Sequence, residues 1–191
     1  MMYYNPLLEK LKRGPQVILP KDIGMILAHS GVGKESIVID AGAGSGWLAI
    51  SLANVAKKVY TYEWKEDFAD LVKKNIARAG FSNVVVIRKD VFKGFKGVRE
   101  KGVDLITLDL AESNKVVKNA SKKLKSNGCL VGYLPHVEQV KKFVNECEKN
   151  KFTKIFTLEC ITREMLVREQ GIRPDTKGLW HTAYLVFARK I

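Results

Sequence analysis

Cysteine is the first scarcity: three residues, Cys129, Cys147 and Cys160, stand far apart in a chain of 191. An odd number with no CxxC pair and no Cys/His clustering excludes a disulfide framework and a zinc site as organising features, and leaves reduced, mostly buried thiols as the expectation. Long hydrophobic runs are missing as well. No stretch approaches the roughly 18 uninterrupted apolar residues of a membrane span. The opening Met1-Met2-Tyr3-Tyr4-Asn5-Pro6 lacks the basic-then-apolar layout of a secretion signal, so the expected setting is the cytoplasm, with no membrane partner. Acidic residues are comparatively few: 20 against 33 Lys and Arg, a formal net charge of +13. Such an excess attracts polyanions, and RNA is the leading partner class. The charge is nevertheless spread over several helices, as at Lys73, Lys74 and Arg78, so a lysine-rich solvated surface is the plainer alternative. Repeats, low-complexity tracts and linkers are also absent. A single domain over residues 1–191, with a helical arm at about 1–34, follows.

What is present is alternation. From Ser36 onward, short β-branched runs alternate with longer helical stretches, which argues for βαβ units and a mainly parallel sheet covered on both faces. The expected strands are Ser36–Asp40, Lys58–Tyr62, Val84–Arg88, Val103–Leu108, Gly128–Leu134, Ile155–Cys160 and His181–Ala188. Helices should begin near Gly46, Lys65, Glu112 and His136. Another opens at Pro20 and stops near Gly31. Gly171–Gly178 reads as a long polar loop between two late strands.

The densest information lies in Ile37-Val38-Ile39-Asp40-Ala41-Gly42-Ala43-Gly44-Ser45-Gly46-Trp47-Leu48, a buried strand that runs into a glycine-rich turn and then a helix. Glycines allow close backbone approach to a ligand. The dinucleotide fingerprint would need its third glycine where Trp47 stands, so NAD is disfavoured. A phosphate loop at Gly31-Val32-Gly33-Lys34 fails too, because Ala28 and Glu35 occupy positions that require glycine and Ser or Thr. Asp40 would repel a pyrophosphate but attract the ammonium of a methionine moiety, which favours S-adenosylmethionine. Glu63 ends the next strand just over 20 residues past the loop, where a carboxylate can accept from both ribose hydroxyls. Asp90 and Asp109 follow at two further strand ends, and open α/β sheets bind ligands at the carboxyl ends of their strands.

Asp40-Ala41-Gly42-Ala43-Gly44-Ser45-Gly46 resembles motif I of the class I methyltransferases. The resemblance implies a Rossmann-like, seven-stranded, mainly parallel sheet whose last strand is antiparallel. It also implies a cofactor site at Asp40, Gly42, Ala43, Gly44, Ser45, Gly46, Glu63, Asp90 and Val91, with the last two meeting the adenine ring. Two outer segments are similar to the tRNA adenine-N1 methyltransferases of the T-loop adenine-58 family: Arg13-Gly14-Pro15-Gln16-Val17-Ile18-Leu19-Pro20-Lys21-Asp22-Ile23-Gly24, and Arg173-Pro174 with His181-Thr182-Ala183-Tyr184-Leu185-Val186-Phe187-Ala188-Arg189-Lys190. Leu108-Asp109-Leu110 and Tyr133-Leu134-Pro135 with Gln139 also fit. The chain departs from the family in three places. It has no residues for the usual N-terminal β-rich domain, it carries Leu19 where a tyrosine is common, and it follows Asp109 with Leu110-Ala111 in place of proline and tryptophan.

The resemblance implies methyl transfer to N1 of an adenine in tRNA, without a metal and within a homo-oligomer such as a tetramer. Asp109 is the catalytic candidate: it would accept from the exocyclic amine and stabilise the cationic ring. Leu19, Tyr133, His136, Arg173 and His181 are candidate substrate contacts. Two alternatives stand beside this reading. One is a small-molecule methyltransferase similar to the precorrin methylases, and the other is a non-catalytic RNA-binding subunit.

Overall fold

The computed structural model describes residues 4–14 and 16–191. Two helices, α1 (Pro6–Glu9) and α2 (Pro20–Ser30), precede the sheet. Pro20 opens α2 at a position where its missing N–H costs nothing, and Gly31 closes it in the left-handed conformation (φ 74°). Five parallel strands and three helices follow: β1 (Ile37–Ala41), α3 (Trp47–Ala53), β2 (Lys58–Tyr62), α4 (Glu66–Ala79), β3 (Val84–Ile87), β4 (Val103–Leu108), α5 (Val117–Lys123) and β5 (Leu124–Leu134). The chain ends with α6 (Val137–Lys149), β6 (Phe152–Glu159), β7 (Met165–Arg168), β8 (Gly171–Pro174) and β9 (Tyr184–Lys190).

Seven strands form one sheet in the order β3-β2-β1-β4-β5-β9-β6. Those from β3 to β5 pair in parallel, and β9 runs antiparallel to both β5 and β6. After β1 the chain winds outward through β2 and β3, then returns to lay β4 on the other side. The carboxyl ends of β1 and β4 therefore flank a topological switch point, where such sheets hold ligands.

Side chains on successive strand positions face opposite ways, and the core divides accordingly. Val38, Leu105 and Val131 pack with α2, α3 and α4 through Ile26, Ile50 and Val72. Their neighbours Ile39, Ile106 and Leu130 face α5 and α6, meeting Val117 and Phe143. Both faces being covered explains why the central strands read as continuous β-branched runs without polar alternation.

The seven expected strands are all found, β2 and β4 with the expected bounds and the other five with shifted ends. β5 begins at Leu124, not Gly128, because Leu124 pairs with Val103 across an irregularity in register. β9 begins at Tyr184, because His181 is drawn out of the sheet by its ring hydrogen bonds to Glu159 and Pro135. The polar loop expected at Gly171–Gly178 is corrected. Its first half is β8, paired antiparallel with β7, and the Asp175 N–H donates to the Glu164 carbonyl at 2.8 Å across the open end. Each strand of this hairpin is only four residues long, too short a run for the period of two to separate it from a loop.

Candidate active site

The glycine loop between β1 and α3 is fastened to the end of β2. The N–H groups of Gly42 and Ala43 both donate to the Tyr62 carbonyl at 3.1 Å, and the Gly44 N–H donates to Glu63 Oε2 at 3.2 Å. The other Glu63 oxygen accepts from the Lys65 N–H at 3.0 Å. Over this loop lies a cavity of about 420 Å³, within the usual size range for a small-ligand site. Gly42, Gly44, Glu63, Asp90, Val91 and Asp109 line it, together with Trp64 and Phe92. A Cβ added at Gly44 would meet nothing closer than 3.9 Å, so the absent side chain leaves space over the loop.

Four residues expected at the cofactor do not line this cavity. Asp40 is buried beneath it and accepts from Thr61 Oγ1 and Thr107 Oγ1, each at 2.8 Å, so its carboxylate also bridges the two neighbouring strands. Burial raises its pKa, partly opposed by those two hydroxyls. Ala43 and Ser45 are buried in the turn, and Gly46 (φ 84°) is the N-cap of α3. Gln16, Trp64, Phe68 and Phe92 line the cavity without having been singled out from the sequence. Trp64 did carry a signal in its place immediately after the acid that ends β2, and the fold leaves it 67% exposed.

A second cavity of about 290 Å³ adjoins the first, and Gln16 and Asp109 line both. Leu19, Tyr133 and His181 line it as expected, with Arg13 and Thr182. Arg173 and His136 do not. Arg173 lies on β8, where its guanidinium donates to the Pro174 carbonyl. His136 is exposed at the start of α6, and its N–H donates to Gln139 Oε1 at 3.1 Å. Gln139 in turn donates to the Ala111 carbonyl at 3.0 Å, tying α6 to the segment after Asp109.

Asp109 is pushed up to about 7, first by burial and then by the charges of Asp40 and Glu63. A cation in the first cavity would relieve that repulsion. Tyr133 is raised mainly by burial and stays a neutral phenol. His181 Nδ1 lies 2.6 Å from Glu159 Oε1 and its Nε2 lies 2.8 Å from the Pro135 carbonyl. Both neighbours are acceptors, an arrangement that favours the protonated ring. Its pKa is raised by Glu159 first and by the Pro135 carbonyl second.

Behind the second cavity, Lys21 donates to Asp22 Oδ1 at 2.8 Å, to the Cys160 carbonyl at 2.6 Å and to Thr182 Oγ1 at 2.6 Å. Thr182 donates to the other Asp22 oxygen at 2.8 Å. Asp22 is fully buried and the Lys21 side chain is 7% exposed. The start of α2 is thus pinned to the chain segments that follow β6 and precede β9. Asp22→Asn keeps the shape but leaves the ammonium buried without a counter-charge, so it is expected to lower stability by about 1–3 kcal/mol. Urea unfolding of the two proteins measures this, and an unchanged midpoint would count against the pinning role.

Among the described residues no group of His, Cys, Asp and Glu is placed to hold a metal ion, and no helix is long and apolar enough to cross a membrane. Residues 8–180 match the family model of the tRNA methyltransferase complex GCD14 subunit. The chain is 36% identical to the tRNA (adenine(57)-N(1)/adenine(58)-N(1))-methyltransferase TrmI of Methanocaldococcus jannaschii, over 96% of this chain and 74% of that protein. It is 31% identical to the tRNA (adenine(58)-N(1))-methyltransferase TrmI of Thermus thermophilus, over 98% and 76%. Among solved structures, the tRNA (m1A58) methyltransferase TrmI of Aquifex aeolicus superposes with a TM-score of 0.90 at 31% identity, covering 99% of this chain and 77% of that one.

Proposed function

Since this chain belongs to the family of the tRNA methyltransferase complex GCD14 subunit, we propose that it transfers a methyl group from S-adenosylmethionine to N1 of an adenine in tRNA. The observation that carries the reading is Asp109, which stands in the wall common to two adjoining cavities. A transferase needs a donor and an acceptor brought together at one point, and one acidic side chain borders both spaces.

The first cavity suits the cofactor. Gly42 and Gly44 would let the methionine moiety approach the backbone, Glu63 would accept from the ribose hydroxyls, and Asp90 and Val91 would meet the adenine. Asp40, Glu63 and Asp109 together make a negative field that favours a sulfonium and an ammonium. S-adenosylmethionine supplies an already activated, electrophilic methyl group. The protein therefore has little bond-making chemistry to do beyond alignment, which contributes most of the acceleration. The N1 lone pair lies in the plane of the adenine ring and needs no base to free it. The new N–CH₃ bond would form as the S–CH₃ bond breaks to leave a neutral thioether; the positive charge would pass to the ring, and ionised Asp109 would accept from the exocyclic amine and stabilise it. Leu19 and Tyr133 would wall the base, which must be turned out of its stack to enter.

The net charge of +13 supports a polyanionic substrate. Met165, Val167 and Ile172, exposed by 52%, 73% and 66% on the β7–β8 hairpin, support a homo-oligomer; the tetramer and the cytoplasmic setting are carried by the family resemblance alone. Purified protein given radiolabelled S-adenosylmethionine and unmodified tRNA is expected to yield 1-methyladenosine on nucleoside mass spectrometry. Cofactor binding with unlabelled tRNA would overturn the substrate assignment and favour a small-molecule acceptor.

A further inference from the structure

A third cavity, of about 270 Å³, adjoins the second, and nothing in the proposed reaction uses it. Leu179 lines both. Lys21 lines the third and donates to Thr182, which lines the second. The wall of the third cavity also carries Trp180, 43% exposed, with the Arg163 guanidinium 5.2 Å from the centre of its ring. Lys177 adds a further cation. The two acids on the wall are Asp175, which accepts from the Lys177 N–H at 3.0 Å, and Glu164.

We propose that this cavity receives the nucleotide next to the methylated adenine, with its base stacked on Trp180 and its phosphate near Arg163 and Lys177. The inference rests on the tRNA reading above. Turning one base out of a stack strips its neighbours of a stacking partner, and an enzyme that supplies a substitute face lowers the cost of the flip. An indole is well suited to that task, because any base has a face to stack on it. Arg163 holds the ring in place from one side and adds positive charge where the backbone must pass. The continuity through Leu179 and Lys21 puts the stacking face beside the target-base cavity, as successive nucleotides require.

Steady-state methylation of unmodified tRNA by the full chain tests the idea, comparing the parent protein with Trp180→Ala, Trp180→Phe and Arg163→Gln. Trp180→Ala is expected to raise KM for tRNA about ten-fold or more, with kcat and cofactor affinity close to those of the parent. Phenylalanine should recover most of the loss, and Arg163→Gln should show a smaller rise. RNA carrying 2-aminopurine in turn on either side of the target should be quenched by the parent protein at one position and not by Trp180→Ala. An unchanged KM with intact methylation overturns the subsite alone, as does absence of quenching at both positions. A change in oligomeric state with KM preserved assigns Trp180 to a subunit contact and also overturns it. If the parent protein transfers no methyl group to tRNA, the substrate reading and the subsite fall together.

Discussion

Asp109→Ala is expected to lower turnover on tRNA by about 10²–10³-fold, the usual cost of removing one group that stabilises transition-state charge. Affinity for S-adenosylmethionine should change far less, because Glu63, Asp90 and the glycine loop remain. Equal losses in turnover and in cofactor affinity would sink the catalytic assignment. The pH dependence is a second readout of the same residue. Asp109 must be ionised to act, and burial with the charges of Asp40 and Glu63 holds it near 7. The rate of the free enzyme should therefore climb as pH rises towards about 7 and level off above it, and Asp109→Asn should flatten the climb. The effect on stability has the opposite sense. A carboxyl raised from 3.8 to about 7 keeps its proton in the folded state at pH values where the unfolded chain has released it. Stability consequently falls as pH rises from about 4 to about 7. Asp109→Asn should melt higher than the parent at pH 8 and at much the same temperature at pH 4. A lower Tm for the variant at pH 8 would show that the carboxylate is not held against its preference.

Gly42→Ala is expected to cost more than about 4 kcal/mol, enough to unfold the loop region or the whole chain. Two causes act together. At φ 92° a side chain is strained, and the added Cβ would lie 2.1 Å from the Asp109 carbonyl oxygen and 2.9 Å from its carbonyl carbon. Backbone atoms cannot swing aside as a side chain can, particularly here, where the Asp109 N–H donates to the Ala41 carbonyl at 2.8 Å. Gly44→Ala is the matched comparison. Its φ of 54° is strained by only about 1–2 kcal/mol, and nothing lies within 3.9 Å of the new Cβ. That variant should fold and lose cofactor affinity, whereas Gly42→Ala should lose both. Urea unfolding and cofactor titration on each separate the two, and a Gly42→Ala protein as stable as the parent would contradict the close approach of the two loops.

Much of this was legible in the residues themselves. The buried run Ile37–Asp40 followed by glycines specifies a strand, a tight turn and a helix through local preferences alone, and the acids Glu63, Asp90 and Asp109 follow at strand ends where a parallel sheet opens to ligands. Pro20 and Gly31 mark α2 by equally local rules. The likeness to tRNA adenine-N1 methyltransferases was carried by the segments around Arg13–Gly24 and His181–Lys190, and the family match over residues 8–180 agrees with it.

Other features depend on contacts between residues far apart in the chain. Asp40 looks like a cofactor ligand from its place before the glycines. Only the folded sheet reveals that Thr61 and Thr107, on its two neighbouring strands, take both of its oxygens. His136 and Arg173 look like pocket residues, yet they stand at a helix start and on a hairpin and do not line the cavity, while Gln16 and Thr182 do. The β7–β8 hairpin is not legible in the sequence because two four-residue strands are too short to show a period of two. Local preference and periodicity thus settle the elements and the loop chemistry that lie within a few residues of each other. Which side chains meet, which carboxylate is buried and which cavities share a wall depend on sheet order and register, where residues 21 to 160 positions apart come into contact.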